Sequence, residues 1–153
     1  MIVNDYADIA LAVDADGVHL GQEDLPVEEA RKIIGRDKLI GISTHNREQA
    51  RDAEQAGADY IGFGPIYPTA TKDAGTVQGL ENLRTIRQTV SIPIIAIGGI
   101  NQSNAGDVIQ AGADGVAVIS AILSADDMQQ KALDMVLIVS KARSQYQELG
   151  GAR

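Results

Sequence analysis

The chain has 153 residues, of which 44% are hydrophobic and 3% aromatic, with no cysteine and a formal charge of −8. That length allows one domain with a real core. The missing cysteines exclude disulfides and thiolate metal sites, and the acidity argues against a nucleic-acid backbone as partner. No stretch reaches the roughly 20 apolar residues of a membrane span. Met1 opens on an apolar run without a basic leader, so no signal peptide is expected. The absence of cysteine fits a reducing, cytoplasmic setting.

Strand, loop and helix alternate from the start. Met1 to Val3 reads as a short strand followed by Asn4-Asp5, and Asp8 to Val13 as a short helix. Gly17 to Leu20 is a second strand, leading into the polar loop Gly21 to Asp24. Pro26 stands where a helix begins, with Val27, Ala30, Ile33 and Ile34 on its apolar face and Gly35 at its end. Leu39 to Ile42 is a third strand, closed by Ser43. Asn46 or Thr44 can cap the next helix, whose inner face is Ala50, Ala53 and Ala56. Tyr60 to Phe63 is the fourth strand, and Leu80, Leu83, Ile86 and Val90 mark the helix after it. Pro93 to Ile97 is the fifth strand, ending in Gly98-Gly99, and Ser103 is the expected cap of a helix carrying Val108 and Ile109. Gly115 to Ile119 is the sixth strand, and Ser120 follows it. Ala121 to Leu123 could form a short helix over the site. The last helix spans about Asp126 to Tyr146, with its Met128 to Val139 stripe expected in the core, and the tail from 148 to 153 is expected to fray.

An internal repeat runs through this order. Ala15-Asp16-Gly17-Val18, Ala58-Asp59-Tyr60-Ile61 and Ala113-Asp114-Gly115-Val116 share one form. In each, a helix ends, a small residue and Asp make the turn, and a buried strand begins. Gly57 and Gly112 can serve as helix C-caps. Such alternation implies a single α/β domain of parallel strands joined by right-handed crossovers.

The segment I-G-F-G-P-I-Y-P-T-A-T-K, Ile61 to Lys72, carries the clearest chemistry. Pro65 and Pro68 stiffen the loop, and Thr69, Thr71 and Lys72 suit an anion such as phosphate. Taken alone, the loop fits a solvated turn equally well. The wider order favours the anion. Asn4, Asp5, Asp24, Ser43, Gly98-Gly99 and Ser120 all follow strands, where α/β proteins build their sites. Asp5 and Asp24 could also be turn carboxylates, Ser43 a plain strand-end hydroxyl, and Gly98-Gly99 a packing device. His19, inside a strand, reads as a packed or hydrogen-bonded residue rather than a catalyst. His45 could line the site or cap a helix. Tyr67 could stack on a ring or cover the site.

A closed (β/α)8 barrel needs eight strands and about 200 residues. Six strands are found here. Counting back from the end, they correspond to strands 3–8, with the first two βα units absent from these 153 residues. An open barrel leaves two strand edges, so homo-oligomerisation or association through them is expected.

The motifs N-D (Asn4-Asp5), D-G-V-H-L-G-Q-E-D (Asp16 to Asp24), I-G-I-S-T-H (Ile40 to His45), G-A-D-Y-I-G-F-G-P-I-Y-P-T-A-T-K (Gly57 to Lys72), A-I-G-G-I (Ala96 to Ile100) and G-A-D-G-V-A-V-I-S (Gly112 to Ser120) resemble the thiamine-phosphate synthase family. The resemblance covers almost the whole chain up to the last helix, and the G-P-I-Y-P-T-x-T-K loop is highly specific. It implies a TIM barrel and a Mg2+-dependent transferase. The implied reaction joins 4-amino-2-methyl-5-hydroxymethylpyrimidine diphosphate to thiazole phosphate, through a pyrimidine carbocation, giving thiamine phosphate and pyrophosphate. By the same resemblance Asp5 and Asp24 would hold Mg2+. Asn4, Ser43 and Lys72 would contact the pyrimidine diphosphate, with Lys72 and Ser43 the catalytic pair. Thr69, Thr71, Gly99, Ile119 and Ser120 would contact the thiazole phosphate. Backbone N–H groups at Gly99 and Ser120 could cradle that monophosphate.

Two features depart from the family. Its Q-x-R-x-K element, which grips the diphosphate, has no counterpart here, so these 153 residues alone are not expected to turn over the diphosphate at a normal rate. Tyr6 stands where the family usually has Arg. The competing readings are a thiazole tautomerase-like isomerase, from which the intact P-T-x-T-K loop differs, and a non-catalytic phosphate-binding fragment or half-barrel completed by another chain.

Overall fold

The computed structural model describes residues 1–69 and 75–148. Six strands form one sheet in chain order: β1 (Ile2–Asn4), β2 (Gly17–Leu20), β3 (Leu39–Thr44), β4 (Tyr60–Phe63), β5 (Ile94–Ile97) and β6 (Gly115–Ala117). Every neighbouring pair is parallel. The connections contain α1 (Ala7–Ala12), α2 (Val27–Ile34), α3 (Arg47–Gln55), α4 (Gly79–Arg87) and α5 (Ala105–Gln110), and α6 (Ser120–Leu123) and α7 (Met128–Glu148) follow β6. The result is an α/β half-barrel. Val18, Leu20, Ile40, Ile42, Ile61, Phe63, Ile94 and Ala96 supply the strand side of its core, and Ala30, Ala50, Leu83, Ile86 and Val108 the helix side. Near-continuous apolar strands are what a parallel sheet buried on both faces requires.

The repeated Asp is a stitch at the amino ends of the strands. Oδ2 of Asp59, just before β4, accepts from the Ile40 N–H at 2.7 Å and from Arg31 of α2 at 2.6 Å. Asp114, just before β6, accepts from the Ile94 N–H and from Arg87 of α4, both at 2.9 Å. Each carboxylate thus takes an N–H near the start of the preceding strand and anchors the helix that leads into that strand. At the edge, Asp16 meets the amine of Met1 instead. The C-cap positions of α3 and α5 are held by Ala56 and Ala111, and the expected glycines stand one residue further on, where Gly57 and Gly112 turn the chain with φ of 89° and 106°.

At the other end, the chain after β4 is fastened to the end of β5. The Ile66 N–H donates to the Ile97 carbonyl at 2.9 Å and the Tyr67 N–H to that of Gly98 at 3.0 Å. This closeness requires glycine. A Cβ on Gly99, at φ 64°, would stand 2.5 Å from the Pro68 carbonyl oxygen and 2.7 Å from the Tyr67 Cβ.

Three expectations need correction. Helix α5 begins at Ala105 with Asn104 at its N-cap position, and Ser103 instead donates its hydroxyl to the Asn101 side chain. Strand β6 stops at Ala117, two residues early. The stripe on α7 is not core: Met135 and Ala142 are buried, whereas Met128, Leu133, Val136 and Leu137 are exposed, the last two at 61% and 68%. Helix α7 packs along α5 and α6, which cover only one of its faces. The expected frayed tail falls, beyond Glu148, outside the described residues.

Replacing Asp114 with Ala removes the acceptor of the Ile94 N–H and the charge partner of the mostly buried Arg87, which keeps only the Val90 and Ile92 carbonyls, and should lower stability by about 1–3 kcal/mol in urea unfolding. Breaking the exposed Lys32–Glu29 pair with Glu29→Ala should change it by less than about 0.5 kcal/mol. Equal effects would show that the stitch is not structural. In thermal melts Gly99→Ala should lower the midpoint, while Gly106→Ala, in a helix with open space around it, should raise it.

Candidate active site at the carboxyl ends of the strands

Parallel pairing brings the strand-following residues to one end of the sheet. At the β1 end, the Asp5 N–H donates to the His19 carbonyl at 2.8 Å, and the Asn4 side chain donates to Asp5 Oδ1 at 2.6 Å. Asp5 has φ 68°. A non-glycine residue held there is strained, although Asp tolerates it better than most, and such strain gathers at functional sites. In the loop after β2, Asp24 Oδ2 accepts from the Gly21 N–H at 2.6 Å. Among the described residues no group of three or more His, Cys, Asp or Glu side chains gathers as a metal centre.

A cavity of about 1100 Å3 opens beside the ends of β2 to β6. Ser43, Thr69, Gly99, Ile119 and Ser120 all lie on its wall. Ser43 lies inside β3, which runs on to Thr44 and not only to the expected Ile42; Thr69 lies in the loop after β4, Gly99 follows β5, and Ile119 and Ser120 open α6. Five residues expected at the site from four separate strand ends are therefore together. Asn4, Asp5 and Asp24 do not line this cavity and lie at the β1 and β2 end of the same edge. Thr71 and Lys72 lie outside the described residues.

Beneath Ser43 sits a pair of rings. His19 of β2 and Tyr60 of β4 stack with centroids 5.5 Å apart. One imidazole nitrogen, Nδ1, is 3.1 Å from the Tyr60 hydroxyl, and the other, Nε2, is 2.9 Å from Ser43 Oγ. Burial lowers the imidazole's pKa, against the pull of the Asp5 and Asp24 carboxylates, so the ring favours its neutral form. Burial also raises the Tyr60 hydroxyl, which stays protonated near neutral pH. His19 is thus a hydrogen-bonded barrel residue, as its strand position suggested.

Two wall residues carried little sequence signal. Gln22 donates its side-chain amide to the Ser43 carbonyl at 2.7 Å. His45 lies on the wall with Nδ1 2.7 Å from the Gly64 carbonyl. A carbonyl only accepts, so Nδ1 carries the proton. Their places after β2 and β3 were the available hint. Tyr67 packs against the core and is not on the cavity wall.

Comparison with known proteins identifies the family. The family described as Thiamine monophosphate synthase (TMP-TENI) matches residues 1–122. The chain is 59% identical over 141 residues to the thiamine-phosphate synthase of Chloroflexus aurantiacus, covering 92% of this chain and 65% of that protein. It is 55% identical over 143 residues to that of Moorella thermoacetica, covering 93% and 68%. The solved thiamine phosphate pyrophosphorylase from Pyrococcus furiosus superposes with a TM-score of 0.85 at 48% identity, over 92% of this chain and 67% of that one. The chain thus spans about two thirds of the length of the curated relatives it matches. On a family match over most of its length, and relatives more than half identical, the chain belongs to the thiamine monophosphate synthase family.

Proposed function

We propose that this chain carries the site of a thiamine-phosphate synthase, which joins the pyrimidine diphosphate to thiazole phosphate and releases pyrophosphate. The observation that carries the reading is the convergence of Ser43, Thr69, Gly99, Ile119 and Ser120 on one cavity wall. Its β1 to β6 then correspond to strands 3–8 of a barrel. In this reading the thiazole phosphate sits against Thr69, Thr71, Ile119 and the backbone of Gly99 and Ser120. Asn4, Ser43 and Lys72 take the pyrimidine diphosphate, with Thr71 and Lys72 assigned from sequence alone.

Asp5 and Asp24 would hold Mg2+. Carboxylates after adjacent strands fit this cation, which takes one or two of them and completes its shell with water and substrate phosphates. When bound, it offsets the charge that grows on departing pyrophosphate. The protein's own part is to orient two phosphorylated substrates and stabilise charge, and no nucleophilic side chain is needed. Asp24→Ala should weaken Mg2+-dependent pyrophosphate binding far more than thiazole phosphate binding in calorimetry. Equal loss of both would point to a folding defect. The sequence contains no match to Q-x-R-x-K. Thiamine phosphate formation by the 153-residue polypeptide is therefore expected to be about a hundredfold or more below that of the Moorella thermoacetica protein. Equal rates would remove the role given to those cations.

The edges of β1 and β6 pair with no other described strand, and Ile9 and Leu11 on α1 and Val136 and Leu137 on α7 are exposed. Unpaired edges and apolar surface favour association. Sedimentation of the polypeptide should show species larger than a monomer, and Val136→Lys with Leu137→Glu should shift them down. A monomeric unmodified chain would refute this.

A further inference from the structure

The two rings beneath Ser43 have no assigned part in the reaction, yet much of the strand geometry makes room for them. His19, Gly41 and Tyr60 are register partners across β2, β3 and β4, and Ser43 faces Gly62 one step further on. A Cβ at Gly41 would stand 2.0 Å from the Tyr60 ring, and one at Gly62 would stand 3.1 Å from His19 Cε1. Two glycines in the middle of strands are a cost in stability that sheets usually avoid. Here they open the space that lets a histidine on β2 reach a hydroxyl on β3 and another on β4.

We propose that Tyr60 and His19 form a positioning pair that fixes Ser43 as a hydrogen-bond donor toward an anionic group in the cavity. A neutral imidazole has one N–H and one lone pair. A phenol is a stronger donor than an aliphatic hydroxyl and a poorer acceptor, because its oxygen lone pair is shared with the ring. The Tyr60 hydroxyl therefore donates to Nδ1. Nε2 then carries the proton and donates to Ser43 Oγ. With its oxygen occupied as an acceptor from behind, the Ser43 hydroxyl directs its proton into the cavity it lines. The opposite tautomer would turn the Ser43 proton inward and offer an anion only lone pairs. The Gln22 amide, donating to the Ser43 carbonyl, holds the same residue from its backbone side.

The proposal rests on the reading of Ser43 as a contact to a phosphorylated substrate, and the test separates the two. The chain has two histidines, so 15N spectra of the imidazoles resolve both. His45 should be protonated on Nδ1, facing a carbonyl, and His19 on Nε2. Proton on Nδ1 of His19 overturns the proposal whatever binds in the cavity. With inorganic pyrophosphate and Mg2+ as probe, Tyr60→Phe should weaken binding about three- to tenfold in the native background. It should add nothing once Ser43→Ala is present. A purely structural role for Tyr60 would weaken both backgrounds alike, and that result also overturns the proposal. His19→Gln, whose amide can accept from Tyr60 and donate to Ser43, should restore most of the binding that His19→Leu loses. If pyrophosphate does not bind the native chain, the substrate reading fails, and the His19 tautomer still decides the positioning role.

Discussion

The constraint on which this molecule depends is parallel pairing in chain order. Each strand must run beside the previous one in the same direction, so every connection has to return across the sheet and every strand ends on the same side. The pairing brings to one edge residues separated by a hundred or more positions in the chain, from Asn4 to Ser120. The amino ends are secured by repeated carboxylates. Asp59 and Asp114 each take a strand N–H and an arginine from a distant helix, which fixes the sheet where it carries no chemistry and leaves the opposite edge to loops.

Glycine does a second job in that edge. Gly41 and Gly62 leave room for the rings of His19 and Tyr60, and Gly98 and Gly99 let the chain after β4 lie against the end of β5. At Gly41, Gly98 and Gly99 another element's atoms stand within 2.6 Å of where a Cβ would be, so a side chain there forces a neighbour to move, while at Gly62 the His19 ring is tight at 3.1 Å. Gly64, Pro65 and Pro68 are thereby held in the cavity wall, and the loop they belong to is not a free excursion.

The outer surface follows a different rule. Helix α7 is apolar at helical spacing, but α5 and α6 cover one face only, and Leu133, Val136 and Leu137 stand in solvent beside half-buried Ile138 and Val139. A helix apolar on more sides than its neighbours cover offers its spare face to another surface.

Strand and helix order, the parallel class and most of the polar edge were legible in the sequence because they depend on local signals. Apolar runs of four residues, Gly at helix ends and Asp before strands need no knowledge of distant partners. The placement of Gly17 to Leu20 and of Tyr60 to Phe63 agrees with the observed strands for that reason. The burial of α7 was not legible, since apolar spacing shows that a face wants cover and only tertiary packing decides whether it has any. Nor was the cap of α5, where the Asn104 side chain accepts from the Asn101 N–H and the Asn101 side chain accepts from the N–H and hydroxyl of Ser103. The same holds for the links of Gln22 to Ser43 and of His19 to Tyr60. These contacts join residues 21 and 41 positions apart. Sequence determined which residues could make them, and strand register alone decided which ones met.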